Sequence, residues 1–168
     1  MPPLAEKVCH GYYAKLNMAS IEAGMWLHVD CVNPIGIKFE HDGIVSAPPE
    51  VYSSAADIKV IHYAWSEPHG KRLISETTLA EFLVVGSSAR VVNARCRFSP
   101  LEVVKRARSQ LGRADYNVLG RNCQHFGSWC YEGAAFSREV FKYGVIGTSF
   151  GLVVSIVGII AIGMARAS

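Results

Sequence analysis

Between Lys142 and Arg166 the chain carries no charged side chain. The run YGVIGTSFGLVVSIVGIIAIGMA, residues 143–165, is rich in Val, Ile and Gly. A helix needs roughly 20 consecutive apolar residues to cross the hydrocarbon core of a bilayer. An ordinary surface helix keeps one face polar, and this run has none. The run therefore divides the chain: 143–165 is expected to be a transmembrane tail anchor, 21–142 a folded body and 1–20 an N-terminal segment. Gly147 and Gly151 form a GxxxG pair, which permits close helix contact in lipid and so self-association through the span. The start, MPPLAEKVCHGYYAKL, is acidic and polar early and has no long apolar core, so it does not read as a secretory signal. One span near the C-terminus implies a single-pass, tail-anchored protein with its body in the cytosol. Arg138 and Lys142 before the run and Arg166 after it leave the orientation undecided by charge.

The charge balance narrows the partners. A formal charge of +3 is mild. It suits an anionic surface such as lipid headgroups, and not nucleic acid, which calls for a stronger basic stripe. The five cysteines are Cys9, Cys31, Cys96, Cys123 and Cys130. An odd number without CxxC pairs argues against a disulfide framework and against a zinc finger.

The body reads as α+β. MWLHVDCV, residues 25–32, is a strand. IGIKFEHDGIVS alternates, with Ile37, Phe39, His41 and Val45 on one face and Lys38, Glu40 and Asp42 on the other. After the loop SAPPEVYSSAAD, IKVIHYAW is another strand, in which Ile58, Val60 and His62 oppose Lys59, Ile61 and Tyr63. Two strands thus each place a histidine among inward residues. EFLVVGSSARVVNARC reads as a hairpin or strand pair around Gly86 and Ser87. At Ser99 the period changes: Ser caps, Pro100 opens the first turn and Glu102 takes the capping-box position. Val104, Ala107 and Leu111 form an apolar stripe, Lys105, Arg106 and Arg108 face outward, and Gly112 ends the helix. A second helix starts at Asn122 or Cys123, with Phe126, Trp129, Cys130 and Gly133 recurring at helical spacing.

GRNCQHFGSWC, residues 120–130, carries the chemistry. Asn122 is a good N-cap, so Cys123 stands at the first helical position. Free N–H groups and the helix dipole favour negative charge there, and a thiolate is the nucleophilic form of cysteine. His125, two positions on, faces away from Cys123 on a helix and makes a poor base. His41 or His62 from the sheet is the better partner, one as base and one orienting it. Cys130 reads as a structural core residue. Zinc on two histidines and one or two cysteines is the competing reading, but the spacing resembles no regular knuckle. No metal and no cofactor is expected.

RNCQHF resembles the NCEHF box of the lecithin:retinol acyltransferase-like family, which includes the phospholipase A and acyltransferase proteins. EHDGIVS resembles the family's histidine box and VIHYA its second histidine site. VVKRARSQLG and YNVLGRNCQHFGSWCYEGAAFSREV are similar to its helix, linker and post-cysteine helix. The resemblance covers the chain from about Met25 to its end. It implies a permuted papain-like, NlpC/P60-type fold, an antiparallel sheet packed on helices. It also implies Cys123 as nucleophile, His41 as general base and His62 as the third, orienting residue. The implied activity is a thiol phospholipase A1/A2 and acyltransferase, in which a glycerophospholipid ester acylates Cys123. The thioester then passes its acyl chain to water, an amine or a lysophospholipid. Departures concern substrate choice more than catalysis: Gln124 replaces the commoner glutamate, Asp42 and Gly43 replace an aromatic-containing pair, and the gap between the histidines is long. Two rivals remain, a PPPDE-like cysteine isopeptidase and a non-catalytic, membrane-anchored interaction module.

Overall fold

The computed structural model describes residues 13–15, 20–32, 36, 38–47, 57–83, 86–138 and 140–141. The strands are β1 (Tyr13–Lys15), β2 (Trp26–Val32), β3 (Lys38–Ala47), β4 (Lys59–Ser66), β5 (Lys71–Thr78) and β6 (Gly86–Val92). The helices are α1 (Leu79–Leu83), α2 (Pro100–Arg108) and α3 (Cys123–Glu132). All six strands join one antiparallel sheet in the order β1-β6-β2-β3-β4-β5. This is the α+β class that the sequence implies. The apolar run 143–165 with its glycine pair, most of the 1–20 segment, Ile37 and most of the SAPPEVYSSAAD loop lie outside the described residues. Among the described residues no helix is long and apolar enough to cross a membrane.

Both faces of the sheet are covered. One face packs Leu27, Val29, Val45, Val60 and Ile58 against Leu79 and Phe82 of α1. The other packs Trp26, Ile44, Ile61 and Tyr63 against α2 and α3 through Val103, Ala107, Phe126 and Cys130. Alternation in β3 and β4 therefore sorts residues between two interiors, not between core and water. Ile61 and Tyr63 are buried, and so is Asp42, which the one-sided pattern put outside.

Three local expectations need correction. EFLVV does not begin a hairpin: Leu79–Leu83 is helical, and a single strand β6 follows, pairing with both β1 and β2. The cause is a Thr-x-x-Glu capping box. The Glu81 N–H donates to Thr78 Oγ1 at 3.1 Å, and the Thr78 N–H donates back to Glu81 Oε2 at 2.7 Å. Arg106 does not face outward. Its guanidinium stacks on Phe98 (4.3 Å) and Trp129 (4.1 Å), and its Nη2 donates to the Trp129 carbonyl at 2.7 Å. It thereby pins α2 to α3 through contacts that one-dimensional helical spacing does not reveal. Ser99 caps α2 as its sequence predicts, accepting the Glu102 N–H. Leu111, placed on the stripe, is 43% exposed beyond the helix end, and Val103 takes its place in the core.

Candidate active site

Cys123 opens α3, and the reason is local. The Asn122 side chain accepts the His125 N–H at 3.0 Å, and His125 Nδ1 reaches back to the Asn122 N–H at 3.4 Å. The capping box thus occupies the His125 ring at the helix end. Asn122 also donates from Nδ2 to the Val118 carbonyl (2.9 Å) and to Ser137 Oγ (3.0 Å). The Cys123 side chain is buried, and its thiol donates to the Glu40 carbonyl at 3.4 Å. That carbonyl belongs to the peptide leading into His41. β3 registers with β4 only from Gly43↔His62 onward, whereas Lys38–Asp42 registers with β2. The thiol meets β3 in the part that precedes its pairing with β4.

His41 and His62 come together. His41 Nε2 lies 2.8 Å from His62 Nδ1, and His62 Nε2 lies 2.8 Å from Thr77 Oγ1. Assigning the Thr77 hydroxyl proton to the Thr78 carbonyl, 3.3 Å away, puts the proton of the His62–Thr77 bond on His62 Nε2. His62 Nδ1 then accepts from His41 Nε2–H. This order of donors leaves the lone pair of His41 on Nδ1. Both rings pack on Phe82, with centroids 5.1 Å away. Burial, then the neighbouring His62 and Arg72, hold His41 well below the ordinary histidine pKa. Burial and Arg72 bring His62 down to about 4. At neutral pH both imidazoles are uncharged, the state in which a histidine can accept a proton. Cys130 is the contrasting thiol: burial pushes it up to about 12, in keeping with a core role.

His41 and His62 pack on the α1 face of the sheet, against Phe82, whereas Cys123 belongs to the cluster on the α2–α3 face, and that face carries a polar group which sequence reading missed. His28 Nδ1 lies 2.8 Å from Asp42 Oδ1, and both residues are only 1% exposed. Burial lowers the His28 pKa, but the Asp42 hydrogen bond and charge, helped by Glu40, override it and raise the pKa above its ordinary value. Glu40 in turn accepts from Gln124 Nε2. The register pair His28↔Asp42 creates this contact, and only strand pairing, not spacing, could have pointed to it. Among the described residues, His28, Asp30 and Glu40 form the one group with metal-ligand spacing, their ligand atoms lying within 4.8 Å of one another. Arg90 on Asp30 (2.6 Å) and the Gln124 amide on Glu40 already supply a cation and a hydrogen-bond donor there. On the other side of the α3 N-terminus, Asp115 accepts from Tyr63 (3.0 Å), Arg113 and Arg121.

The lecithin retinol acyltransferase family model matches residues 28–136, well over half of the chain. The chain belongs to this family. The lecithin retinol acyltransferases of Mus musculus and Rattus norvegicus are each 40% identical to it over 42 residues. That segment is 25% of this chain and 18% of each relative, so the chain covers only a small part of those proteins' length. Membership of the lecithin retinol acyltransferase family suggests acyltransferase or phospholipase chemistry on lipid substrates. His41, His62 and Cys123 all lie within the matched region.

Proposed function

We propose that this chain is a membrane-anchored thiol phospholipase A1/A2 and acyltransferase with a permuted papain-like body. Cys123 is the nucleophile, His41 the general base and His62 the orienting residue. The single observation that carries the reading is the buried chain His41–His62–Thr77, with 2.8 Å at each link, whose assigned donor order leaves the lone pair of His41 on Nδ1. The Cys123 S–H proton passes to that nitrogen, and the thiolate attacks the ester carbonyl of a glycerophospholipid. The Cys123 backbone N–H stabilises the oxyanion at the helix N-terminus. Collapse of the tetrahedral adduct breaks the C–O bond, and the proton on His41 goes to the departing lysophospholipid oxygen. The thioester then passes its acyl group to water, an amine or a lysophospholipid, with His41 taking the acceptor's proton. The 143–165 segment, crossing the bilayer, keeps the body at its substrate.

The test is the intact mass of the full chain reconstituted in phosphatidylcholine vesicles, beside a Cys123→Ala control. A fatty-acyl increment on the parent alone is the expected result. No adduct and no lipid turnover from a folded protein would overturn the reading. Reaction with a ubiquitin- or SUMO-type electrophilic probe would then favour an isopeptidase, and silence there an interaction module.

A further inference from the structure

The residues that flank the proposed base and nucleophile are tied to each other. Glu40 and Asp42 stand on either side of His41 in β3, and Asn122 and Gln124 on either side of Cys123. Asp42 holds His28 of β2, fixing the backbone just after His41. Glu40 takes two contacts from α3, the Cys123 thiol on its carbonyl and the Gln124 amide on its carboxylate. Gln124 Oε1 accepts from Ser137 Oγ at 2.9 Å, and the same Ser137 oxygen receives Asn122 Nδ2 at 3.0 Å. A continuous polar chain thus runs from β2 through β3 to the cap of α3. Gln124 is only 2% exposed, so its amide needs these partners. A buried hydrogen bond to a carboxylate is stronger and more directional than a neutral one. It acts beside the long S–H bond from Cys123 to the Glu40 carbonyl.

We infer that the Glu40–Gln124 pair is a positioning clamp that sets the thiol of Cys123 against the His41 segment of β3, with Gln124 as its hydrogen-bond donor. The inference rests on the reading of Cys123 as nucleophile. Neither Glu40 nor Gln124 takes part in bond making. A glutamate at position 124 would set two carboxylates against each other and open the clamp. The same pair with its roles exchanged, Gln at 40 and Glu at 124, would close it again.

The experiment compares the full-length parent with Gln124→Glu, Glu40→Gln and the double exchange, all in phosphatidylcholine vesicles. Three readouts are taken: kcat and KM for acyl release, the rate of Cys123 alkylation by iodoacetamide across pH, and the thermal midpoint. Peptide mapping resolves Cys123 from Cys96, which is exposed. A misplacement near 1 Å costs about 10²-fold in rate. The expected result is therefore a fall of tenfold or more in kcat and in Cys123 alkylation for Gln124→Glu, with KM little changed, and recovery to within about threefold in the double exchange. Should Gln124→Glu fail to fold, Gln124→Met removes the donor without adding charge and carries the same expectation. Parental rates in Gln124→Glu, or a double exchange as slow as Gln124→Glu, overturn the clamp; Glu40→Gln keeps an acceptor for the Gln124 amide and serves as the charge control. A parent that alkylates at Cys123 but never acquires an acyl group overturns the lipid-enzyme reading, and the clamp is then judged on alkylation alone.

Discussion

Burial and Arg72 hold the His62 imidazole at a pKa of about 4, against about 6.5 in an unfolded chain. A histidine depressed in this way contributes stability that is complete above pH 6.5 and is lost as pH falls toward 4, because the unfolded chain takes the proton first. The shift corresponds to roughly 3 kcal/mol for so deeply buried a group. His41 acts in the same direction. His28 acts in the opposite one: its pKa is raised, so its contribution is present below pH 6.5 and fades as pH rises above that value. The thermal midpoint should therefore drop between pH 6.5 and 4, and His62→Gln should flatten that drop while lowering the midpoint at pH 7. An unchanged acid slope in His62→Gln would mean that other groups carry it. The same substitution should lower acyl transfer, since His41 loses the acceptor that fixes its tautomer.

The helix that carries Cys123 seats on the sheet through a glycine. A Cβ built on Gly127 would lie 2.4 Å from Trp26 Cε2 and 2.5 Å from its Nε1. Trp26 is wedged against Tyr131 with ring centroids 5.4 Å apart, so the indole cannot retreat. Ala is the better helix former by about 1 kcal/mol, yet the overlap should win, and Gly127→Ala should destabilise by about 1–3 kcal/mol. Urea unfolding measures it, and a gain in stability would show that α3 can lift off β2. Loss of the cap in Asn122→Ala should cost about 1 kcal/mol and also loosen the 118 and 137 segments that Asn122 ties together. These element ends were legible in the sequence, because caps are local chemistry: Asn122 before α3, and Ser99, Pro100 and Glu102 at α2. The capping box at Thr78 and Glu81 was equally local, but the apolar run FLVV spoke more loudly for a strand. Asp42 and Ile61 stand on the face opposite the histidines, as alternation has them, yet both are buried. Alternation separates two faces and does not say that both are covered. Which residues meet across β2 and β3 is a matter of register, and that rests on long-range pairing, so the His28–Asp42 contact had no signal within either segment. His41, His62 and Cys123 stood out in the sequence because residue type, cap and box coincide, whereas Thr77, their continuation, lies on a strand that drew no attention.

At the scale of the molecule, the described fold ends at Phe141, just before the apolar run. Leu119, Phe136 and Phe141 are half or more exposed, and the rings of Phe136 and Phe141 lie 6.0 Å apart. Asn122 links these residues to Cys123, the proposed nucleophile, because its amide reaches Val118 next to Leu119 and Ser137 next to Phe136. A segment that enters the bilayer directly after Phe141 would bring Leu119, Phe136 and Phe141, with Arg121 and Arg138, down to the headgroups. On the proposed reading the segment would act as a tether, turning a collision with the membrane into a local event, and tethering of this kind gains about 10²–10⁴ in effective concentration. Deleting residues 143–168 should lower phospholipid turnover on vesicles by about that range. It should leave unchanged the cleavage of a short-chain ester that is monomeric in water, which on the proposed mechanism needs only His41, His62 and Cys123. Equal loss on both substrates would mean that the segment supports the body's own fold, and equal retention would mean that the exposed residues of the body alone hold the protein to lipid.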